Sequence, residues 1–143
     1  MSDYILPEVW ENPTSMGGAW GGLNQPTAGA RFEQTLPKGD HPFQLYTLPT
    51  PNGIKATIML EELKELGVTQ AGYDAYRIKI GDGDQFGSDF VSINPNSKIP
   101  AMMDYSEDQP VRVFESANIL LYLAEKFGKL IRTDHAKRTE VLN

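Results

Sequence analysis

The 143-residue sequence contains no cysteine, so no side chain of its own can supply a thiol nucleophile. No apolar run approaches the roughly 20 residues that span a bilayer, and the first residues lack the basic and apolar regions of a secretory signal. Positive charge is scarce, since 13 Lys and Arg stand against 19 Asp and Glu. We therefore expect a cytoplasmic protein that associates with neither membranes nor nucleic acid.

Residues 1–40 are rich in Gly, Pro, Asn and Thr and show neither helical nor strand periodicity. This composition predicts an irregular N-terminal arm. Its two tryptophans, Trp10 and Trp20, are costly to leave in water, which favours an arm that docks on another surface over a disordered tail.

The periodicity of residues 41–130 predicts one α/β domain with the element order β-α-β-α-β-β-α. The alternating segments predict strands at 43–48, 75–80, 101–105 and 111–115, and helical spacing predicts helices at 53–66, 88–96 and 116–128. A right-handed first crossover and an antiparallel last pair of strands place helices on both faces of one mixed sheet. This is the thioredoxin-like order of elements.

The helix predicted at 53–66 carries an apolar stripe that we expect to face the core, made of Ile54, Ile58, Met59, Leu63 and Leu66. Thr50 or Asn52 can cap its N-terminus, and Gly67 ends it.

The segment TDHAKRTEVLN predicts a further helix that is capped by Thr133 or Asp134 and has no stop signal. We therefore expect residues 131–143 to be a linker and the start of a helix in a longer protein.

Two patterns that resemble metal sites fail on inspection. The loop DGDQFGSDF begins like a calcium loop, but Phe86 and Ile93 stand where oxygen ligands are needed. His41 and His135 have no Cys or His neighbour at metal-binding spacing. We predict no metal site, and surface positions for both histidines.

The segments NPNSKIP, at 94–100, and FESANILLYLAEK, from Phe114, carry features suited to ligand binding. An Ile-Pro pair that enters a strand is well placed for a cis peptide, which turns the backbone of Ile99 outward as an edge for an extended peptide. Glu115 and Ser116 open a helix, where free N–H groups favour a carboxylate and the Glu115 carboxylate can hold an ammonium. The alternative is that Ser116 merely caps this helix.

The combination of NPNSKIP and VFESANILLYLAEKFG resembles the N-terminal domain of the glutathione transferases. The segments TPNGIKATIMLEEL and GDGDQF are similar to the nu class of that superfamily, the bacterial disulfide-bond oxidoreductases. The likeness covers residues 42–143 and, less strongly, the arm segment GGAWGGLNQP.

The resemblance implies that glutathione brings the reactive sulfur, with two molecules, or one glutathione disulfide, in each site. In that case Thr50 and Asn52 are the catalytic residues, because they donate hydrogen bonds near the sulfur, and Pro51 holds the turn. The other glutathione contacts that the family pattern implies are Asn24 to the second tripeptide, Gln85 to the glycyl end or the second tripeptide, Lys98 to a terminal carboxylate, the backbone of Ile99 to the cysteinyl unit, and Glu115 with Ser116 to the γ-glutamyl zwitterion.

The function implied by the resemblance is that of a glutathione-dependent disulfide-bond oxidoreductase acting on small disulfides or electrophiles, as a homodimer. A second, all-helical domain follows residues 41–130 in this family, so residues 131–143 would be its truncated start. Two alternatives remain open. One is a non-catalytic module that binds partners, and the other is a conventional glutathione-conjugating transferase, for which Tyr46 is the candidate at the sulfur.

Overall fold

The computed structural model describes residues 5, 6, 8, 9, 18, 21–24 and 28–143. Trp10 and Trp20, on which the predicted docking of the arm depends, lie outside the described residues, as does the side chain of Asn24.

A four-stranded mixed sheet forms the centre of the domain, with strand order β2-β1-β3-β4. Its strands are β1 (Phe43–Thr47), β2 (Tyr73–Arg77), β3 (Ala101–Asp104) and β4 (Val111–Phe114). β1 pairs parallel to β2 and antiparallel to β3, and β3 pairs antiparallel to β4. The helices are α1 (Pro51–Glu65), α2 (Ser88–Ile93), α3 (Ser116–Phe127) and α4 (His135–Leu142). The predicted thioredoxin-like element order and mixed sheet are confirmed.

Alternate residues of β1 face two separate apolar clusters, as the period of a strand requires. Phe43 and Leu45 pack with α1 and α3 on one face of the sheet. Tyr46 packs with Phe90 and Ile93 of α2 on the other face. Helices therefore cover both faces of the sheet.

The predicted apolar stripe of α1 is wrong in part. Ile54, Ile58 and Leu66 are exposed, whereas the buried residues of this helix are Gly53, Ala56, Met59, Leu60 and Leu63. Two of the five are small, and the first of them, Gly53, lies where α1 approaches the chain that precedes it. A Cβ atom at Gly53 would stand 2.0 Å from the carbonyl oxygen of Leu48, so only glycine fits there.

The second strand begins two residues earlier than predicted and ends at Arg77 rather than at residue 80. Ile78 and Ile80 gave the apolar alternation of the predicted strand. Ile78 is buried in the cluster around α2, but its backbone N–H bonds to Thr47 after β2 has ended. Smaller differences occur at other ends, since α2 stops at Ile93 and β4 at Phe114.

The predicted caps of two helices are present. Thr50 caps α1, because its Oγ1 accepts a hydrogen bond from the backbone N–H of Gly53 at 3.1 Å. Asp134 caps α4, because its Oδ1 accepts one from the N–H of Lys137 at 3.0 Å. None of the described helices is both long and apolar enough to traverse a lipid bilayer.

The C-terminal stretch of the predicted arm lies along α2. The N–H of Arg31 bonds to the carbonyl of Phe86 at 2.8 Å, and the N–H of Leu36 bonds to the carboxylate of Asp89 at 2.8 Å. The guanidinium of Arg31 also stacks 3.5 Å from the centroid of the Phe86 ring. Residues 31–36 are therefore held against the domain at several points.

His41 is more than a solvated surface residue, although its side chain is 56% exposed. Its Nδ1 lies 2.9 Å from Asp74, a residue of the edge strand β2. Hydrogen bonds from His41 and from Gln44 lower the pKa of Asp74 to about 2. These hydrogen bonds fasten the segment before β1 to that strand.

A buried carboxylate, Asp104 at the end of β3, connects the sheet to α3. Its oxygens accept hydrogen bonds from the Tyr122 hydroxyl at 2.7 Å and from the N–H of Ser106 at 2.7 Å, and Lys126 lies 3.0 Å away. Burial alone would raise the pKa of Asp104, but these hydrogen bonds lower it on balance. The carboxylate is therefore stable in its charged form inside the fold.

Candidate functional site

A cleft lies where the N-terminus of α1 meets the turn before β3. Its volume is about 280 Å³, slightly below the roughly 300–1,000 Å³ typical of small-molecule pockets. The lining residues come from four segments of the chain and are Leu23, Thr50, Asn52, Ile80, Gln85, Ser97, Lys98 and Ile99. We call this the α1 cleft.

Thr50 and Asn52 present hydrogen-bond donors at the first turn of α1. The Thr50 oxygen accepts from Gly53, so its hydroxyl hydrogen is left to donate. The Oδ1 of Asn52 accepts from the Lys55 ammonium at 3.0 Å, which leaves the side-chain N–H₂ group as the donor. The N–H groups of Gly53 and Ile54 are taken up by Thr50, but the backbone N–H of Asn52 and the positive dipole end of α1 add to these donors, so this corner of the cleft favours an anion.

Gln85 supplies an acceptor on the facing wall. Its side chain is buried, and its Oε1 accepts no hydrogen bond from any residue that the structure describes. A buried acceptor without a donor is costly, so a ligand that donates a hydrogen bond to Gln85 gains stability there. The α1 cleft therefore suits a ligand that combines an anionic centre with an N–H donor.

The loop at 94–98 gives the third wall its shape. Asn94, fully buried, donates from Nδ2 to the carbonyl of Lys98 at 2.6 Å and accepts from the N–H of Asn96 at 2.9 Å. This clamp holds Ser97 at a φ of 52°, a conformation that a non-glycine residue rarely adopts. The sequence does not reveal this part of Asn94, because its two partners are set by the folded loop.

We expect Asn94→Ala to raise the KM for a ligand of the α1 cleft about tenfold while kcat changes little. Removing the amide leaves the carbonyl of Lys98 without its donor, and the loss of stability is about 1–2 kcal/mol. Ser92→Ala, at an exposed position of α2, is the matched control. Steady-state kinetics and urea unfolding of both variants measure the effect, and equal KM values for the two would contradict it.

Ile99 lies two residues before β3, at the predicted cis peptide. The Ile99–Pro100 peptide is cis. Among the described residues, the N–H and C=O groups of Ile99 bond to no other backbone group, and β3 begins only at Ala101. An extended ligand can therefore pair with this edge.

Lys98 bonds to the arm as well as lining the cleft. Its ammonium donates to the carbonyl of Leu23 at 3.2 Å, and Leu23 belongs to a 3₁₀ turn at Gly21–Asn24. The arm therefore contributes one wall of the α1 cleft. Whether the side chain of Asn24 contributes as well lies outside the described residues.

Glu115 and Ser116 lie beside the cleft and not among its lining residues. Glu115 has a φ of 69° and occupies the N-cap position of α3, and Asn96 donates to its carboxylate at 3.4 Å. Ser116 is the first residue of the helix, so the alternative that Ser116 caps it is wrong. The contact with Asn96 places the Glu115 carboxylate next to the 94–98 loop.

Comparison with known proteins identifies the family. The sequence profile described as "Glutathione S-transferase, N-terminal domain" matches residues 51–126. The chain belongs to the glutathione S-transferase family.

Individual glutathione transferases cover more of the chain than the profile does. The disulfide-bond oxidoreductase YghU of Escherichia coli (strain K12) is 61% identical over 140 residues, which are 98% of this chain and 49% of that protein. Glutathione transferase YghU from Streptococcus pneumoniae ATCC 700669, solved as a complex with glutathione, is 64% identical with a TM-score of 0.88, covering 98% of this chain and 54% of that one. A glutathione transferase from Pseudomonas putida, with one glutathione disulfide bound per subunit, is 44% identical with a TM-score of 0.62, covering 70% of this chain and 42% of that one.

The chain therefore spans about half the length of the glutathione transferases that it matches. The profile match includes the α1 helix, the Gln85 wall and the 94–98 loop, so the α1 cleft lies almost entirely within the family domain. Leu23 and Thr50 are the lining residues that precede the matched range.

Four lining or shaping residues were missed by the sequence analysis: Leu23, Ile80, Asn94 and Ser97. Leu23 and Ile80 give no sequence signal of a binding role, because an aliphatic residue that lines a cleft looks the same in sequence as one in the core. Asn94 and Ser97 fall within NPNSKIP, so the motif predicted their position near a ligand but not their structural role.

Tyr46 lies away from the α1 cleft. Its side chain points to the α2 face of the sheet, where its hydroxyl donates to the carbonyl of Pro37 at 2.9 Å. Burial, with smaller contributions from Tyr105, Tyr76 and Asp89, raises the pKa of Tyr46 to about 12. The phenol is therefore poorly placed to activate a thiol in that cleft.

Proposed function

We propose that this chain is the glutathione-binding part of a nu-class, glutathione-dependent disulfide-bond oxidoreductase. One observation carries the proposal: the donors of Thr50 and Asn52 at the α1 N-terminus share a cleft with the unpartnered Oε1 of Gln85. Glutathione has a thiol that can ionise and amide N–H groups that can donate to Gln85. The chain has no cysteine, so the reacting sulfur comes from the ligand.

Catalysis follows from favouring the thiolate. A free thiol with a pKa of about 8.5 is mostly neutral at pH 7, and donors at a helix N-terminus lower that value. The glutathione thiolate attacks one sulfur of a small disulfide, forming a mixed disulfide and releasing a thiolate. A second glutathione thiolate then attacks the mixed disulfide, giving glutathione disulfide and a second released thiolate, so two thiols supply the two electrons.

Two glutathione molecules, or one glutathione disulfide, would occupy each site. The relative from Pseudomonas putida binds one glutathione disulfide per subunit, which supports this stoichiometry. We assign Thr50 and Asn52 to the sulfur and Pro51 to fixing the turn that presents them.

The remaining residues would each bind a different part of the tripeptide. The main chain of Ile99 would pair with the cysteinyl unit, and Glu115 with Ser116 would hold the γ-glutamyl zwitterion beside the α1 cleft. Gln85 would accept from an amide, and Lys98, already bonded to Leu23, would reach a terminal carboxylate. Asn24 would contact the second tripeptide.

The domain plan is part of the proposal. Residues 1–40 would be the arm, 41–130 the glutathione-binding domain and 131–143 the linker and start of a C-terminal helical domain. Exposed apolar side chains on α1, including Ile54 at 44% and Ile58 at 54% exposure, support a further domain. We also propose a cytoplasmic homodimer.

The test is reduction of 2-hydroxyethyl disulfide by glutathione in an assay coupled to glutathione reductase, with the complete polypeptide. We expect turnover that depends on the protein and saturates with glutathione. Gln85→Met, which keeps the length of the side chain but removes the acceptor, should raise the KM for glutathione about tenfold.

Two other outcomes would overturn the proposal. Glutathione binding without disulfide turnover would favour the non-catalytic module. Conjugation of an electrophile that stops in Tyr46→Phe, with Asn52→Ala unaffected, would favour the conventional transferase.

A further inference from the structure

A second cavity lies on the α2 face of the sheet, opposite the face that α1 and α3 cover. Its volume is about 360 Å³, larger than that of the α1 cleft, and the two share no lining residue. The residues around it include Leu36, Lys38, Tyr46, Asp89, Ile93 and Arg112. We call this the α2 cavity.

The floor of the α2 cavity is apolar. Tyr46 and Ile93 lie beneath it, 3% and 6% exposed, and its open apolar surface comes from the less buried Leu36, Met103 and Pro110. The one polar atom of the Tyr46 side chain already donates to the carbonyl of Pro37. An occupant therefore gains by covering this floor with an apolar or aromatic body.

Two cations stand at the edge of this floor. The Lys38 ammonium lies 3.6 Å from the centroid of the Tyr105 ring, and one N–H of Arg112 donates to the carbonyl of Ser92 at 2.9 Å. Neither forms an ion pair with any residue that the structure describes. The ring and the carbonyl hold both cations at the cavity, so the cost of ordering long side chains is partly met before a ligand arrives.

One carboxylate shares the cavity with these cations. Asp89 contributes a single negative charge, and one of its oxygens is engaged by the N–H of Leu36 at 2.8 Å. With Lys38 and Arg112, the charged side chains of the lining sum to one net positive charge. The lining therefore matches a ligand with one negative charge better than a dianion or a neutral molecule.

We propose that the α2 cavity is a binding site for small aromatic monocarboxylates, separate from the α1 cleft. The aromatic body covers Leu36, Met103 and Pro110. The carboxylate accepts hydrogen bonds from the free edge of the Arg112 guanidinium, whose planar donors match the two oxygens, and from Lys38.

Isothermal titration of the protein with 2-naphthoate and with its neutral analogue 2-naphthamide tests the charge requirement. We expect 2-naphthoate to bind at least several-fold more tightly than the amide. Arg112→Gln and Lys38→Gln should each weaken 2-naphthoate about threefold to tenfold. Lys64→Gln, which removes an exposed cation from α1, is the matched control and should change nothing.

A crystal structure with 2-naphthoate fixes the location. Density in the α2 cavity, with the carboxylate at Arg112, supports the proposal. Density only in the α1 cleft or on the exposed face of α1 would overturn it, as would equal binding of the acid and the amide.

Both substituted side chains are exposed, so Arg112→Gln and Lys38→Gln should unfold at the wild-type temperature. They should also retain wild-type disulfide turnover, because neither lines the α1 cleft. Unchanged 2-naphthoate affinity in two folded variants would likewise overturn the proposal.

Discussion

Asn52→Ala should lower the turnover of 2-hydroxyethyl disulfide about 100-fold, with a smaller change in the affinity for glutathione. The removed amide belongs to a lining residue of the α1 cleft, and because its oxygen accepts from Lys55, its N–H₂ group is left to donate to a ligand. Removal of one preorganised donor to a developing or standing anion in other enzymes costs about 10²–10³ in kcat.

The pH dependence separates a chemical effect from a structural one. The rate of the wild type should rise with pH as the glutathione thiol ionises. If Asn52 stabilises the thiolate, the apparent pKa of that rise lies below the value of about 8.5 for a free thiol, and it moves towards that value in Asn52→Ala. An unshifted pH profile in the variant would contradict the assignment. Lys55→Met is the matched control, because it removes the partner of Asn52 but keeps the amide, and it should cost only about twofold.

Asp104→Ala should destabilise the fold by about 3 kcal/mol, measured by urea unfolding. The substitution leaves the Tyr122 hydroxyl without its acceptor and the Lys126 ammonium without its buried partner. Lys126 keeps Glu107 as a second partner, which limits the loss. Asp108→Ala, at an exposed position of the same hairpin, should cost less than about 0.5 kcal/mol.

The contribution of Asp104 should also depend on pH in a defined direction. Because its pKa is lower in the folded protein than the roughly 3.9 of an unfolded chain, its stabilisation is fully present above that value. It is lost as the pH falls through the folded pKa. The difference in the free energy of unfolding between wild type and Asp104→Asn should therefore shrink below about pH 4, and a constant difference would show that the charge is not involved.

The sequence predicted the fold where local pattern and tertiary packing agree. The alternation around Phe43 and Leu45 is strong, and Thr50 caps α1 through a bond three residues away. The same reasoning was right for Met59 and Leu63 of α1 but missed Gly53 and Ala56, which also face inward. Small residues have little weight in a hydrophobic pattern, although they allow the closest packing.

The buried polar residues were beyond the reach of sequence pattern. Asp104 reads as the polar end of a strand, and only the fold brings Tyr122 and Lys126 to it. Gln85 was placed in the site through family resemblance, but its burial and its unpartnered oxygen emerge from the packing of the loop around it. Their positions in the fold could be predicted from the sequence, but their roles depend on tertiary contacts.

The main-chain atoms that Ile99 offers to a ligand bear on which residue types this position can accept. The atoms that it offers to a peptide belong to every amino acid except proline, so a change of apolar residue at this position alters the packing beneath and leaves the offered atoms in place. Divergent members of the family could thus bind the same tripeptide with a different residue at this position. Surveys that compare residue identities at this position would overlook such sites, whereas superposition of backbones would find them.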